Sequence, residues 1–304
     1  MRAADHESQR CGVYAIVGRP NVGKSTLLNR LVGQKISITS RKPQTTRHKV
    51  TGIVRHGDAQ IVFVDTPGWQ RQPQSRLHKL MNQQIDHAVH EIDGVLFVID
   101  ARGWRDDDDA AAARVSALPG EKFLVVNKID RLSSRESLLP LIDELRQTMP
   151  FRAEIFPVAA LTGTNLASLL DALAQHAPRR AYLYDPSEVA LQSVRALTAE
   201  LIREKVTRQL GAELPYATHV VIERYEERDE IVHIDAAIWV EKPGQKAIVI
   251  GNRGHRIKQI GTAARLDIER TLERRVYLST WVKVVEKWTE DPTKLEIFKP
   301  GTSA

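Results

Sequence analysis

A glycine-rich segment at residues 18–25, with the sequence GRPNVGKS, has the spacing of a loop that binds nucleotide phosphates. It follows an apolar run and precedes a helical pattern, the setting in which G-x-x-x-x-G-K-[ST] forms a P-loop. Glycine lets the backbone N–H groups turn inward, and the start of a helix adds positive potential. Lys24 can reach the β and γ phosphates, and the Ser25 hydroxyl can bind Mg²⁺. The predicted phosphate-binding residues are Gly18, Arg19, Pro20, Asn21, Val22, Gly23, Lys24, Ser25 and Thr26.

A second motif, NKID at residues 127–130, can recognise guanine. The Asp130 carboxylate can accept hydrogen bonds from both N1–H and the exocyclic amine of guanine, and adenine offers neither donor there. Asn127 can bond the guanine N7 atom, and the stem of Lys128 can cover the ring. Since the P-loop alone does not choose between ATP and GTP, this motif predicts GTP or GDP as the nucleotide.

A weaker guanine motif, VAAL at residues 158–161, follows a later apolar run. The Ala160 backbone N–H can bond guanine O6. Related GTPases carry a serine at the position of Ala159, so the loop lacks one hydroxyl, but the predicted specificity for guanine is unchanged.

The segment DTPG at residues 65–68 supplies groups for the γ phosphate. Asp65 is placed to hold Mg²⁺ through water, and the Gly68 N–H can sense the γ phosphate. Thr66 and Pro67 complete the motif.

The loop ITSRKPQTTRH at residues 38–48 contains two threonines, Thr45 and Thr46, that can bind Mg²⁺ and close over the γ phosphate in the GTP state. Thr46 is favoured, because related GTPases place the metal-binding threonine just before an arginine. The predicted metal ligands are Ser25, Thr46 and Asp65. The predicted catalytic residues are Lys24, Thr46, Asp65 and Gly68.

Trp69 occupies the position at which many GTPases carry a glutamine that orients the attacking water. An indole cannot do this, so we expect slow intrinsic hydrolysis or help from another group. Asn21 suggests a K⁺ ion in that role, because some related GTPases bind K⁺ through an asparagine in the P-loop.

A third group of motifs lies near the C-terminal end, where residues 248–261 read IVIGNRGHRIKQIG. A Gly-x-x-Gly loop between two helices is typical of a KH domain, which clamps about four nucleotides of single-stranded RNA. Residues 242–258 contain five Lys or Arg and no Asp or Glu. The predicted RNA-binding residues are Lys242, Lys246, Ile250, Gly251, Asn252, Arg253, Gly254, Arg256, Ile257 and Lys258.

These motifs are expected on two domains. Apolar runs alternate with helical patterns over residues 10–178, which predicts a mostly parallel, doubly wound α/β domain with an antiparallel edge strand at 48–56. Residues 179–186 are interpreted as a linker. Residues 187–290, beginning with a helix capped by Ser187, follow the helix–strand–strand–helix–helix–strand order of a type II KH domain. Residues 291–304 form a tail without an interpretation.

The overall charge gives no support to an RNA site in the C-terminal part, which must come from local clustering, and the other features of the composition predict a cytosolic protein. The net charge of +6 lies in the first 180 residues, because residues 181–304 contain 19 basic and 19 acidic side chains. The single cysteine excludes an intrachain disulfide, and no apolar run is long enough to span a membrane. The acidic run at 106–109 is interpreted as the first turn of a surface helix. Trp239, Trp281 and Trp288 are interpreted as core or interface packing residues rather than base-stacking platforms.

Taken in order, GRPNVGKST, PQTTRH, DTPG, NKID and VIGNRGHRIKQIG make the sequence closely resemble the bacterial Era GTPases from about residue 10 to 290. The resemblance implies a monomeric GTPase of the TRAFAC type that acts in maturation of 16S rRNA and assembly of the 30S ribosomal subunit. It also implies binding of 16S rRNA near its 3′ end through the KH domain, tighter in the GTP state. A peripheral location at the cytoplasmic face of the inner membrane is implied as well.

The sequence is also compatible with two other functions. The chain could be an RNA chaperone that uses GTP as a conformational ligand with little hydrolysis, which the tryptophan at position 69 would permit. It could instead be a membrane-associated signalling GTPase whose basic patch contacts anionic lipid. A GTPase assay with RNA present tests the first, and vesicle flotation with competing RNA tests the second.

Overall fold

The computed structural model describes residues 9–39, 50–65, 75–77, 79–81, 83, 91–185, 187–210 and 218–296. Among these, two compact units are separated along the chain between Leu191 and Gln192. The first unit contains most of the residues up to 191. The second contains those from 192 onward, together with the described parts of 38–45 and 73–80.

The first unit is built on a six-stranded sheet whose apolar strands are covered on both faces. Its strand order is β2-β3-β1-β4-β5-β6, with β2 antiparallel to β3 and the other neighbours parallel, as predicted. The strands are β1 (Arg10–Val17), β2 (Val50–His56), β3 (Ala59–Asp65), β4 (Gly94–Asp100), β5 (Glu121–Asn127) and β6 (Glu154–Val158).

Helices cover the two faces of this sheet and build one apolar core on each. Leucines of α1 and α4 pack with one set of inward strand residues, and α2 and α3 pack with the alternate set. The helices are α1 (Lys24–Val32), α2 (Asp106–Ala117), α3 (Leu138–Thr148) and α4 (Leu166–His176). Because β1, β3, β4, β5 and β6 run parallel, their carboxyl ends, and the motifs that follow them, meet at one edge of the sheet.

The second unit is a three-stranded sheet with helices packed on one face. The strand order is β7-β8-β9, with β7 antiparallel and β9 parallel to the central strand. Its elements are α5 (Val194–Gln209), β7 (His219–Arg228), β8 (Ile231–Val240), α6 (Pro243–Ile250), α7 (His255–Leu272), β9 (Arg275–Val284) and α8 (Pro292–Leu295). This is the predicted order, with one added helical turn in the predicted tail.

The start of α5 differs from the prediction. The helix begins at Val194, and the Ser193 hydroxyl accepts a hydrogen bond from the Ala196 N–H at 3.1 Å. Ser187 instead lies in a turn in which its N–H and hydroxyl both donate to the Asp185 carboxylate. Both serines can cap a helix, and the local Asp185 contact decides which of them does.

The tryptophans of the second unit differ in how deeply they are buried. Trp288 is fully buried, and its ring lies 5.6 Å from that of His219. Trp281 is 36% exposed and lies on the edge strand of the sheet, in register with the fully buried Ala237, on the face opposite the helices.

Candidate functional site

The P-loop has the backbone geometry that its glycines predict. Gly23 has φ +105°, and a Cβ atom there would lie 2.3 Å from the Asn127 amide nitrogen. A Cβ atom at Gly18 would lie 2.3 Å from the Val98 carbonyl oxygen. Glycine is therefore required at both positions, and the loop is held closely against the ends of β4 and β5.

Lys24 at the start of α1 is buried inside this loop. Its ammonium donates to the carbonyl oxygens of Gly18 (2.8 Å) and Arg19 (3.0 Å). Burial lowers the pKa of Lys24 to about 8, although the nearby Asp65 carboxylate opposes the shift. A buried cation whose charge is only partly compensated is well placed to bind an anion such as a phosphate.

A pair of oxygen donors beside Lys24 fits a magnesium ion. The Ser25 hydroxyl donates to Asp65 Oδ2 at 3.1 Å, and Asp65 is fully buried. Within the described part of the chain, no three His, Cys, Asp or Glu side chains form a metal cluster. Mg²⁺ is usually held by one or two protein oxygens together with substrate phosphates and water, rather than by protein ligands alone. One hydroxyl and one carboxylate fit this pattern.

Ser37 is a third oxygen donor at this position, and sequence reasoning missed it. Its hydroxyl lies 3.3 Å from Asp65 Oδ2, and the side chain is buried. The Asn29 side chain on α1 fixes it by accepting from the Ile36 and Ser37 N–H groups and donating to the Ser37 carbonyl. The sequence signal that could have revealed this contact was Asn29, a polar residue one helical turn after Ser25 of the P-loop.

Asn127 connects the three loops on the guanine side. Its amide donates to the Val22 carbonyl oxygen in the P-loop at 2.8 Å. Its side-chain oxygen accepts from the N–H groups of Lys128 (2.8 Å) and Ala160 (3.0 Å). The predicted bond from the Ala160 N–H to guanine O6 would therefore have to share that hydrogen with Asn127.

Asp100 at the end of β4 is a second residue that sequence reasoning missed. It receives hydrogen bonds from Lys128 Nζ (2.8 Å) and from the Arg102 guanidinium (2.7 and 2.8 Å). Burial by itself raises the pKa of Asp100, but the hydrogen bonds from Arg102 and Lys128 outweigh it and hold the pKa below its usual range. Asp100 therefore stays charged and orients Lys128. The sequence signal that could have revealed Asp100 is its position at the end of a buried apolar strand, which Asp65 shares.

Asp130 is the predicted guanine-reading group, and its carboxylate is available. It lies in a short 3-10 turn, Ile129–Arg131, directly after Lys128, which has φ +70°. The side chain is exposed, and it accepts no hydrogen bond from any residue in the described ranges. A base that enters beside Lys128 can therefore use both carboxylate oxygens.

The acidic run 106–109 forms the first turn of α2, as predicted, but one of its side chains points inward. Asp108 is fully buried, whereas the other three aspartates are exposed. Its Oδ2 atom accepts from the Arg19 guanidinium in the P-loop and from the Arg105 N–H, at 3.0 and 3.1 Å. The backbone carbonyl of Arg19 in turn binds Lys24, so Asp108 positions the phosphate loop.

Replacing Asp108 with asparagine should weaken this support. The charge on the Arg19 guanidinium loses its partner, which costs about 1 kcal/mol of GTP binding, roughly a fivefold rise in Kd. KM for GTP should rise while kcat changes little, since Asp108 contacts no reacting atom. Asp107→Asn, an exposed neighbour in the same turn, is the control. Equal effects of the two variants, or a fall in kcat alone, would contradict the positioning role.

Several predicted site residues lie outside the described ranges. They are Thr46 and its alternative Thr45, the three residues Thr66, Pro67 and Gly68, and Trp69. The roles assigned to them stay predictions.

The predicted RNA-binding loop has the backbone that two glycines allow. Gly251 and Gly254 have φ +73° and +77°, and Arg253 between them has φ +48°. A Cβ atom at Gly251 would lie 2.7 Å from the Arg256 Cβ, whereas nothing lies within 4 Å of one at Gly254. The Gly254 side of the loop is therefore open to an approaching backbone.

The positive side chains around this loop point mostly to solvent. Arg256 is the exception, since its guanidinium donates to the Ile248 carbonyl oxygen at 2.5 Å. The exposed residues of the predicted set are Lys242, Lys246, Asn252, Arg253 and Lys258. Ile250 is partly buried against the core of the second unit.

A groove of about 310 Å³ runs between α7 and β9. Of the predicted RNA-binding residues it contains Ile257 and Lys258, and not Ile250. Five lining residues were missed, namely Gly261, Thr262, Arg265, Leu278 and Thr280. The helical ones follow Ile257 and Lys258 at steps of four residues, so the spacing of α7 could have shown them.

Two family models match the two halves of this arrangement. A model for 50S ribosome-binding GTPase matches residues 13–128, and a KH domain model matches residues 213–289. GTPase Era of Pseudomonas putida is 44% identical over 301 residues, covering 99% of both chains. The chain belongs to the Era GTPase family.

Other Era proteins agree with this assignment. GTPase Era of Pseudomonas entomophila is 45% identical over 297 residues, covering 98% of this chain and 99% of that one. The crystal structure of a Tyr-to-Ala variant of Aquifex aeolicus Era bound to GDP and AlF4⁻ superposes with a TM-score of 0.91 at 38% identity, covering 95% and 99% of the two chains. A crystal structure of Era with MgGDPNP and nucleotides 1506–1542 of 16S rRNA also gives 0.91 at 38%, covering 95% and 98%. The chain is thus a GTPase with a P-loop domain and a KH domain.

Proposed function

We propose that this Era GTPase binds single-stranded 16S rRNA near its 3′ end when GTP is bound, and that hydrolysis releases it during assembly of the 30S subunit. The observation that supports this most directly is the presence, in one chain, of a guanine-nucleotide site and of a groove that contains Lys258 and lies beside a Gly-x-x-Gly loop. The choice of RNA follows the related Era structure that contains nucleotides 1506–1542 of 16S rRNA.

The nucleotide part of this function is carried out by residues of the first unit. Lys24 and the P-loop N–H groups bind the phosphates, Asp130 and Asn127 read the base, and Ser25 and Asp65 would hold Mg²⁺. Magnesium supplies charge neutralisation of the transferring phosphate when it is bound. Neither the K⁺ ion inferred from Asn21 nor the choice of Thr46 is tested, and both stay predictions.

Cellular location and assembly state also belong to this proposal. In the described part of the chain, no helix has both the length and the apolar character needed to cross a bilayer. The cytoplasmic location, the monomeric state and the peripheral contact with the inner membrane that the resemblance implies stay predictions.

The test is RNA binding in two nucleotide states. A single-stranded RNA matching the 3′ end of 16S rRNA should bind more tightly with a non-hydrolysable GTP analogue than with GDP. Lys258→Glu should weaken RNA binding about tenfold, because the reversed charge repels the RNA phosphates. The salt dependence of binding should also fall, since one phosphate contact is lost. Gly254→Asp should weaken RNA binding further, because it places a carboxylate at the open side of the loop.

The glycine substitution needs a matched control, since aspartate at φ +77° is strained. Gly57→Asp makes the same change at φ +58° with nothing within 4 Å, in the hairpin between β2 and β3. It should leave RNA binding unchanged. Binding that ignores both the nucleotide and the Lys258 charge would refute the RNA half of the proposal and leave the GTPase half intact.

A further inference from the structure

The sheet of the second unit carries exposed aromatic rings on the face opposite its helices. Side chains alternate along β9, so Val276 and Val282 are buried against the helices while Tyr277 and Trp281 point the other way. Tyr277 is 59% exposed and Trp281 is 36% exposed. Part of each ring therefore faces solvent, where a flat ligand can stack on it.

The two rings are held by neighbours in the adjacent strand. Tyr277 pairs in register with His233 of β8, and their ring centroids lie 5.3 Å apart with a 37° tilt. Trp281 pairs with the small, buried Ala237. The two rings are four steps apart along the strand, about 13 Å at 3.3 Å per residue, which is enough for two or three stacked or splayed bases.

One end of this face is already covered, which limits the free surface. Trp288 packs against His219, and the Lys294 ammonium lies 5.8 Å from the centre of the Trp239 ring. Those aromatics belong to the packing of the C-terminal segment. Among the residues that the structure describes, nothing of this kind covers the part around Tyr277 and Trp281.

Cations exceed anions on the same face. Arg275 and Lys283 flank the two rings on β9, are exposed, and make no hydrogen bond or ion pair with any residue in the described ranges. On β7, the Glu226 carboxylate forms ion pairs with the guanidinium groups of both Arg224 and Arg228, at 2.6 and 2.9 Å. These three side chains together carry a net charge of +1. Asp235, on β8, is a further acid of this face, in register with Ser279 of β9 and with Arg224 of β7. Stacking rings flanked by unpaired cations suit a polyanion with exposed bases.

The position of β9 links this face to the groove described above. β9 is an edge strand, and its other face lines the groove through Leu278 and Thr280. A strand of RNA that leaves the groove can cross this edge and reach Tyr277 and Trp281.

We propose that the exposed face of β9 is a second binding site for single-stranded RNA, in which Tyr277 and Trp281 stack on bases and Arg275 and Lys283 contact phosphates. The site rests on the proposed RNA-binding function and extends it from about four nucleotides in the groove to a longer strand that passes around the sheet edge. A peptide or a second copy of the chain would make less use of the unpaired cations.

The test compares a short and a long single-stranded RNA on the full chain. A pentanucleotide fills the groove only, whereas a 16-nucleotide RNA with the same core reaches both faces. Tyr277→Ala and Trp281→Ala should each weaken the long RNA about tenfold, because stacking of a base on an aromatic ring contributes roughly 1–3 kcal/mol. Both should leave the pentanucleotide unchanged. Leu139→Ala, at a 71% exposed apolar residue of the first unit, is the control and should alter neither.

Three other outcomes would contradict the second RNA site, and each points to a different error. If the wild type binds neither RNA, the proposed function fails and the second site fails with it. If both RNAs bind and the aromatic variants bind the long one as the wild type does, only the second site is wrong. If Trp281→Ala converts a dimer to a monomer in sedimentation without changing RNA affinity, the face is an interface between copies. Circular dichroism and thermal melting confirm that the variants fold.

Discussion

Replacing Asp130 with asparagine should lower the affinity for GTP and GDP at least a hundredfold and raise the affinity for xanthine nucleotides. The carboxylate of Asp130 is exposed beside Lys128 and free to accept two hydrogen bonds from guanine. Each hydrogen bond to a charged group contributes about 1.5–3 kcal/mol, so loss of both costs roughly 3 kcal/mol or more. Xanthine presents a carbonyl where guanine has its amine, and the asparagine amide can donate to it.

Competition titrations with labelled GDP would measure this exchange of specificity. Asp143→Asn, at an exposed carboxylate of α3, should leave all four nucleotide affinities unchanged. If the Asp130→Asn protein lost guanine and xanthine nucleotides alike, the carboxylate would be shaping the loop rather than reading the base.

Replacing Lys24 with methionine should abolish tight nucleotide binding while leaving the fold intact. Methionine keeps much of the apolar stem and removes the ammonium, which is the group placed to reach the phosphates. The loss of one buried cation from a phosphate site corresponds to about 3 kcal/mol or more, at least a hundredfold in Kd. The melting temperature of the nucleotide-free protein should change little, because burying this charge is itself costly, as its lowered pKa shows.

Lys122 offers a close control. Its ammonium also donates to two backbone carbonyls, those of Leu118 (2.9 Å) and Gly120 (2.8 Å), at the amino end of β5 and away from the site. Lys122→Met should retain nucleotide affinity by isothermal titration calorimetry. A Lys24→Met protein that melts far below the wild type, or that binds GDP normally, would contradict this account of the phosphate loop.

The sequence predicts the fold of the first unit and the order of its motifs well, because the P-loop, DTPG and NKID each follow a strongly apolar strand. Parallel strands bring such motifs to one edge whatever the details of packing, so the P-loop, Asp65 and Asn127 are brought together as expected. The two family models and the Era structures confirm the GTPase domain and the KH domain.

What the sequence does not reveal are the partners of polar side chains. Asp108 stands in a run of four aspartates, and only helix packing shows that it alone turns inward to Arg19. Asp100 and Ser37 belong to no motif, and their roles depend on the exact position of Lys128 and Asp65. The same limit explains Ser187, which resembles a helix cap until its contact with Asp185 is known.

The hydrogen bonds of Asn127 have a kinetic consequence. They join the P-loop, the end of β5 and the loop after β6 without any help from a phosphate group. The base half of the pocket therefore presents the same surface to a diphosphate and to a triphosphate, and its binding energy is common to both. Such shared energy sets how long either nucleotide stays on the protein, and the ratio of the two residence times must come from the γ-phosphate side. A ligand that loosens the Asn127 contacts would speed the release of GDP and GTP by the same factor, and would act as an exchange factor without nucleotide preference.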